Sequence, residues 1–337
     1  MRARIFAANP IARAERMYQI RFAPRRRRWL RVLVWVVLAA AFTLAFILAG
    51  GELAGAVFYR DPDRISRVFG PLNTLPLAVA VLFHFALMFR TLALSANSIT
   101  REQQANNWDM LVLTGIDARR IVWGKWWATV RRMWFGYVLL AILRAAVIIW
   151  VGAAVSRVLA AGYPYTSGYL PPDVIRPTLA RFLLAAGIVF AFTMVNLPFT
   201  AACGVTAFNR RSGVALARAF VTRTLLLVSL AFALIALSWW MLARRTREND
   251  DLWFILDSIV NHTANTLIEN GVHVSSMWVT YRSVYDLEYL SNLPLAILTA
   301  FGLYLMLTFL LLRFAQWQVV RYNALPPLSS KRRNLLE

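Results

Sequence analysis

In a chain that is 59% hydrophobic and only 16% charged, ionisable residues among apolar neighbours are the first to need a chemical explanation. His84, Arg144 and Asn196 sit inside long apolar runs. A cation, an imidazole and an amide are costly in hydrocarbon. They are expected to face a bundle interior or a water-filled path, or to hydrogen-bond across to a neighbouring helix or chain. A second polar group lies between two apolar runs, in residues 97–125, NSITREQQANNWDMLVLTGIDARRIVWGK. Here Trp108, Leu111 and Val112 stand at i, i+3 and i+4, the spacing of one apolar helix face. Asn106 or Asn107 can cap that helix, Asp109 suits its first turn, and Thr114 and Gly115 break it. The chemistry is recognition: an apolar ridge, aimed by a few charges, docks on a partner. Glu102 is available to a basic residue of that partner, or to Arg119 or Arg120. The competing reading is that the segment folds back on its own bundle.

Catalytic patterns are absent. No G-x-x-x-x-G-K-[ST] loop occurs, since Gly124 and Lys125 are followed by Trp126 and lack the first glycine. The chain is therefore not expected to bind ATP by itself. His84, His262 and His273 are not at ligand spacing, and no Cys/His cluster exists for zinc. Cys203 is the single cysteine, so no intramolecular disulfide forms, and it reads as a small apolar residue. Asp250, Asp251 and Asp257 read as solvated acids rather than a cation site. There is no G-x-S-x-G nucleophile motif. No catalytic residue, cofactor or metal site is predicted on this chain.

The elements that must position these residues are membrane helices. Mean hydropathy is +0.55. Apolar residues gather in runs at 30–48, 72–94, 133–155, 179–205, 225–242 and 293–314. Each is close to the ~20 residues a helix needs to cross the hydrocarbon. The runs are continuous rather than alternating, which excludes a membrane β-barrel. The fold class is all-α: a polytopic membrane protein with six transmembrane helices in one domain, residues 1–337. Residues 1–29 form an arm, 30–314 the bundle and 315–337 a tail. Asn196 with Pro198 predicts a bend in the fourth span.

Basic residues set the expected orientation. Of 37 Lys and Arg, 26 fall in residues 1–31, 90–132, 208–223 and 313–337. By the positive-inside rule these segments and both termini are cytoplasmic, in a multi-pass protein of the cell membrane. The net charge of +21 then reflects topology and anionic headgroups rather than nucleic acid, for which no recognition motif is present. Residues 25–31 loosely resemble a twin-arginine export signal, but a full span follows, so the arginines read as an anchor. Before the first span, Ile11, Ala14, Tyr18 and Phe22 share one side of a predicted amphipathic helix, with Arg13, Arg16 and Gln19 off it. The longest outer segment is 244–292. It carries Leu252, Leu256, Ile259, Val260, Thr263 and Leu267 at helical spacing, which predicts an amphipathic helix on the outer surface. Residues 272–285 are too short and polar to span, and predict a re-entrant hairpin or an interfacial cap. Trp253, Trp278, Tyr281 and Tyr285 suit a water–lipid boundary.

The polar segment resembles the first cytoplasmic loop of permease subunits of type-2 ATP-binding-cassette exporters. In that family the loop reads RE-x-x-x-GTLELLLLTP, then a short helix, then GK. Here Arg101 and Glu102 are followed by Asn106, Asn107, Trp108, Asp109, Met110, Leu111, Val112, Leu113, Thr114 and Gly115, then Ile121, Val122, Trp123, Gly124 and Lys125. Two asparagines replace Gly-Thr, Asp109 replaces Glu, and Gly115 replaces Pro. Asn9, Pro10 and Ile11, with Ala14 and Glu15, are similar to the family's opening NP-x-x-x-RE helix.

The resemblance implies a non-catalytic permease subunit that pairs with a second permease chain, the same or a related one. It also implies a separate ATP-binding-cassette ATPase, which alone holds ATP and Mg. The docking residues it implies are Glu102, Asn107, Trp108, Asp109, Leu111, Val112, Thr114, Gly115, Arg119, Arg120, Gly124 and Lys125. The helix on Trp108 would be the coupling element that transmits ATP-driven closure to the spans. Two other classes compete. A secondary transporter wants paired broken helices and an internal repeat, which are not seen in the sequence. A membrane anchor or assembly subunit would also carry a docking loop.

Overall fold

The computed structural model describes residues 10–21, 28–58, 69–104, 117–162, 179–207, 211–243, 250–269, 271–272, 275 and 293–323. These are helical apart from a few residues at helix ends, and no strand occurs among them. Helix α1 is Pro10–Arg21, α2 Arg28–Phe58, α3 Thr74–Gln104, α4 Ala118–Gly162, α5 Leu179–Val205, α6 Ser212–Ala243, α7 Asp250–Glu269 and α8 Leu293–Asn323. A 3-10 turn, Gly70–Asn73, leads into α3. Six helices are long and apolar enough to cross a membrane, the architecture of a multi-pass membrane protein. The spans are Val32–Gly55, Gly70–Glu102, Ala118–Val155, Leu179–Val205, Ser212–Met241 and Leu293–Arg321.

Several helices outrun the apolar runs that announce them. The second continues from 94 to Gln104, the third starts at Ala118 rather than 133, and the fifth at Ser212 rather than 225. The last continues past 314 to Asn323. A hydropathy window stops at a charge, but a helix does not if the charge finds a partner inside the bundle. Lys125 and Arg223 do so, as described below. Arg223, placed by its charge in an inner loop, therefore lies within the fifth span.

Helix α5 is the axis of the bundle. It packs against α4, α3, α8 and α6. From Val195 to Val205 every residue except Pro198 is buried, as expected of a helix enclosed on all sides. The helix runs through Pro198 without interruption. At its end it touches α3 closely: a Cβ on Gly204 would fall 1.7 Å from Ser95 Oγ, so only glycine permits the approach. Phe192 and Phe199 of α5 meet the ring of Tyr304 on α8 edge-on, at centroid distances of 6.2 and 5.4 Å. The Tyr304 hydroxyl donates to the Leu267 carbonyl of α7 at 2.9 Å, which ties three helices together.

Polar side chains in α3 are satisfied within the helix. Thr91 donates to the Leu87 carbonyl, Ser95 to Thr91, Ser98 to Ser95 and Thr100 to Ala96. Such back-bonding lets hydroxyls sit where water is absent. Helix α2 faces outward with Trp35, Val36, Phe46 and Ile47 exposed, a surface suited to lipid. Between α2, α4 and α5 an apolar groove of about 380 Å³ is lined by Phe46, Gly50, Ile149, Gly187 and Phe190, among others.

Helix α7 is the helix expected in 244–292, but it lies against α6 and α8. Ser258, His262, Thr263, Ala264, Thr266 and Leu267 are buried there. Ser238 of α6 donates to Asp257, which occupies that acid within the protein. Gly271 ends the segment. Its φ of 81° and its N–H bond to the Thr266 carbonyl (3.1 Å) mark a left-handed helix stop. Trp253 lies in α7, while Trp278, Tyr281 and Tyr285 lie outside the described residues, as does most of 272–285.

Candidate functional site: an ion cluster at the base of the polar loop

The expected loop of 97–125 is mostly helix. Residues 97–104 complete α3 and 118–125 begin α4, leaving 105–116 between them. Asn107, Trp108, Asp109, Leu111, Val112, Thr114 and Gly115 lie outside the described residues. The described part of the site is the base from which that segment emerges. Asp117 opens α4: its side chain accepts from the Arg119 N–H at 3.2 Å and its carbonyl from the Arg120 N–H at 2.8 Å. This is ordinary N-capping by aspartate.

One and two turns further, Ile121, Val122 and Lys125 are buried. Lys125 is 1% exposed, and its ammonium has three acceptors to match its three protons. They are the Ser98 carbonyl at 2.6 Å, Glu102 Oε1 at 3.1 Å and Glu15 Oε2 at 3.3 Å. Glu15 also pairs with Arg101 through its other oxygen. The Arg101 guanidinium in turn stacks on the Tyr18 ring, 4.0 Å from its centroid. Four charges, two of each sign, thus join α1, the end of α3 and the start of α4. Glu102 pairs with Lys125 rather than with Arg119 or Arg120, whose side chains are exposed. Gly124 is buried on the inner side of α4 beside it.

The cluster corrects the expected face of α1. Pro10 starts this helix at the position where no N–H is needed. Its inner face is Ile11, Ala12 and Glu15, while Ala14 and Tyr18 are exposed with Arg13 and Arg16. Phe22 lies outside the described residues. An apolar stripe was expected to choose the buried side. The pairing of Glu15 with Lys125 and Arg101 turns the helix instead, because a carboxylate with two cationic partners tolerates burial. These contacts place α1 and the base of the 105–116 segment at the same end of the bundle.

Around the cluster stands a tryptophan group. The rings of Trp123 and Trp126 meet edge-on at 5.3 Å, and Trp127 follows at 6.0 Å. The Trp126 indole donates to the Pro198 carbonyl at 2.9 Å, so the start of α4 is fastened to α5 as well.

The three polar residues of the spans are brought partly together. Asn196 Oδ1 accepts from Arg223 at 3.1 Å and from Thr200 at 3.1 Å. Arg144 donates to Thr193 Oγ1 at 2.9 Å, one turn before Asn196 on the same helix. The sequence places Glu15 only in the resemblance of the opening helix and Arg223 only at the edge of an inner segment, and gives neither a partner. The available signal was context: Arg223 stands in an uninterrupted helical, mostly apolar stretch from Val214 to Leu227. No protein family, curated protein or solved structure matches the chain.

Proposed function

We propose that the chain is the membrane-spanning permease subunit of an ATP-binding-cassette transporter, exporting a substrate across the cell membrane. ATP is hydrolysed on a separate partner subunit, and two permease chains form the pathway. The N-terminal arm and the 105–116 segment face the cytoplasm in this reading. The observation that carries it is the ion cluster of Glu15, Arg101, Glu102 and Lys125. A lever works only if its base is fixed to what it moves. Here the helices on either side of 105–116 are held to each other and to α1 by buried, hydrogen-bonded charges, and to α5 by Trp126. Trp108, Leu111 and Val112 supply the apolar face that seats on the partner, with Glu102 and Asp109 at its margins. The resemblance of 97–125 to the exporter loop supplies the identity of that partner.

The test is isolation of the tagged chain from its native membrane under mild detergent, with identification of what accompanies it. A cassette ATPase is expected in the complex. ATP hydrolysis is expected from the complex and not from the chain alone. Specific ATPase activity of the purified chain, or a native complex that lacks any ATPase, would overturn the reading.

A further inference from the structure

The groove between α2, α4 and α5 is lined entirely from within three of the membrane spans. Its place along them follows from the fastened end of α4. Ile142 and Ile149 stand ~26 and ~36 Å along that helix from Lys125. On α5, Gly187 stands ~17 Å before Pro198, whose carbonyl Trp126 of α4 holds. The groove therefore lies in the half of the bundle away from the ion cluster. Ala146 and Ile149 of α4 are buried at its back, whereas Phe46, Gly50, Gly187 and Phe190 of α2 and α5 are exposed at its mouth. Every lining residue is Gly, Ala, Leu, Ile or Phe. Two glycines keep the hollow open: a Cβ built on Gly50 or Gly187 would meet nothing within 4 Å. Leu183 and Leu184, one turn before Gly187, are exposed as well, so the apolar surface continues toward the start of α5.

An apolar hollow does not hold water, which needs polar partners, and takes up apolar molecules instead. Left empty, it forfeits the dispersion contacts of its lining. Six spans place it in hydrocarbon, where two apolar occupants are at hand: a helix of a second copy, or the chain of a lipid. Size decides between them. About 380 Å³ over the ~10 Å from Ile142 to Ile149 leaves a mean cross-section of ~36 Å². A helix with its side chains is ~10–12 Å across, a section of ~80 Å² or more. A hydrocarbon chain is one carbon contact across, ~4 Å. The groove is too narrow for a helix and wide enough for an acyl chain.

We propose that this groove seats the hydrocarbon chain of a membrane lipid, held there by shape rather than exchanged freely with the surrounding bilayer. Recognition is of the chain and not of a headgroup, because no polar side chain lines the site. Between apolar groups in lipid the hydrophobic effect contributes nothing, so close packing against α4 supplies the retention. The inference rests on neither the partner ATPase nor export and is tested on the chain alone.

The experiment places the full chain in nanodiscs of phosphatidylcholine that carries a photoreactive diazirine on one acyl chain. Peptide mass spectrometry locates the adducts, and native mass spectrometry from neutral detergent counts the phosphatidylcholine retained and the copies of the chain. Adducts should concentrate on residues 46–53, 142–149 and 186–190 over equally exposed positions of α8 such as Leu305 and Phe309, with phosphatidylcholine retained on each chain. The double variant Gly50→Leu with Gly187→Leu fills the groove without a clash at either Cβ. It should stay folded and lose both the groove adducts and the retained lipid. Gly302→Leu, at an exposed position of α8 where a Cβ also meets nothing within 4 Å, should change neither. If the double variant does not fold, Gly187→Leu and the wild-type adduct map decide. Adducts spread evenly over the exposed faces of the spans, or undiminished when leucine fills the groove, would mean bulk lipid only and overturn the site. So would a wild-type dimer that the leucines break apart with no adduct in the groove, which would assign the groove to a second copy.

Discussion

Replacing Lys125 with methionine tests whether the base of the polar segment is held by charge. The side chain is of similar length and can fill the same space, so packing is largely kept and the ammonium is lost. Glu15, 3% exposed at its side chain, then loses its ammonium partner and keeps the pair with Arg101, whose side chain is 27% exposed. Glu102 loses the ion pair at 3.1 Å, and the Ser98 carbonyl its side-chain donor at 2.6 Å. Two carboxylates that shared a cation now face each other. Removing one partner of a buried pair costs about 3–5 kcal/mol, because the charge left behind is not rehydrated. The half-buried Glu102 arm contributes less to this, because Glu102 at 27% side-chain exposure can be partly rehydrated. The cost should fall on the attachment of α1. Unfolding in nanodiscs and protease cleavage near Arg16 provide the assay. Lys125→Met should lower the unfolding midpoint and expose α1 to cleavage, whereas the exposed Arg13→Gln should do neither. Glu15→Gln should cost less, because Lys125 keeps Glu102 and the Ser98 carbonyl. The double variant should cost less than the sum of the singles, with a coupling of about 0.5–3 kcal/mol. Additive effects, or a Lys125→Met protein as stable as wild type, would refute the cluster as the fastening of this end.

Three further outcomes are expected. Trp108→Ala should leave insertion and folding unchanged but weaken the partner ATPase by about thirtyfold, the equivalent of about 2 kcal/mol for an aromatic anchor; full transport with the partner retained would exclude this helix as the coupling element, and misfolding would favour packing of the loop on its own bundle. In a Cys203→Ala background, cysteines placed at Ser330 and Ser276 should be labelled from opposite sides of the membrane, and same-side labelling contradicts the proposed topology. Gly204→Ala should destabilise the bundle by about 1–3 kcal/mol, since its Cβ meets Ser95 Oγ at 1.7 Å, and Ser95→Gly in the same chain should restore part of the loss.

The long helices were legible because lipid imposes a simple rule on sequence. A run of apolar residues near the required length forms a span whatever its neighbours do. The amphipathic character of α1 and α7 was legible too, though not their orientation. What the sequence concealed depends on distant pairing. Glu15 meets Arg101 and Lys125 across 86 and 110 positions, and no local pattern encodes such a contact. Lys125 read as loop, and Arg223 as loop margin, because a hydropathy count assigns every charge to water. Each is buried instead, with three and two hydrogen-bonded partners respectively. Asn196 was singled out correctly as a polar residue in a span, but its partner was invisible without the packing of α6 on α5. Asp117 is legible as an aspartate directly before a helix, the residue type that caps an N-terminus.

Helix α4 runs 45 residues, or ~67 Å, about twice the thickness of the hydrocarbon. It contains no proline. At Gly136 it leans on Leu87 of α3, where an added Cβ would come within 2.8 Å of a leucine methyl. A stiff rod resting on such a point has unequal arms. From Gly136 the arm to Ala118 is ~27 Å and the arm to Gly162 ~39 Å. A sideways push of ~2 Å at the Asp117 end would then swing the opposite end by ~3 Å, in the reverse direction. Such a swing would have to carry along the helices on which α4 packs, α1, α2, α3 and α5, so the two ends of the rod are coupled through the whole bundle rather than through α4 alone.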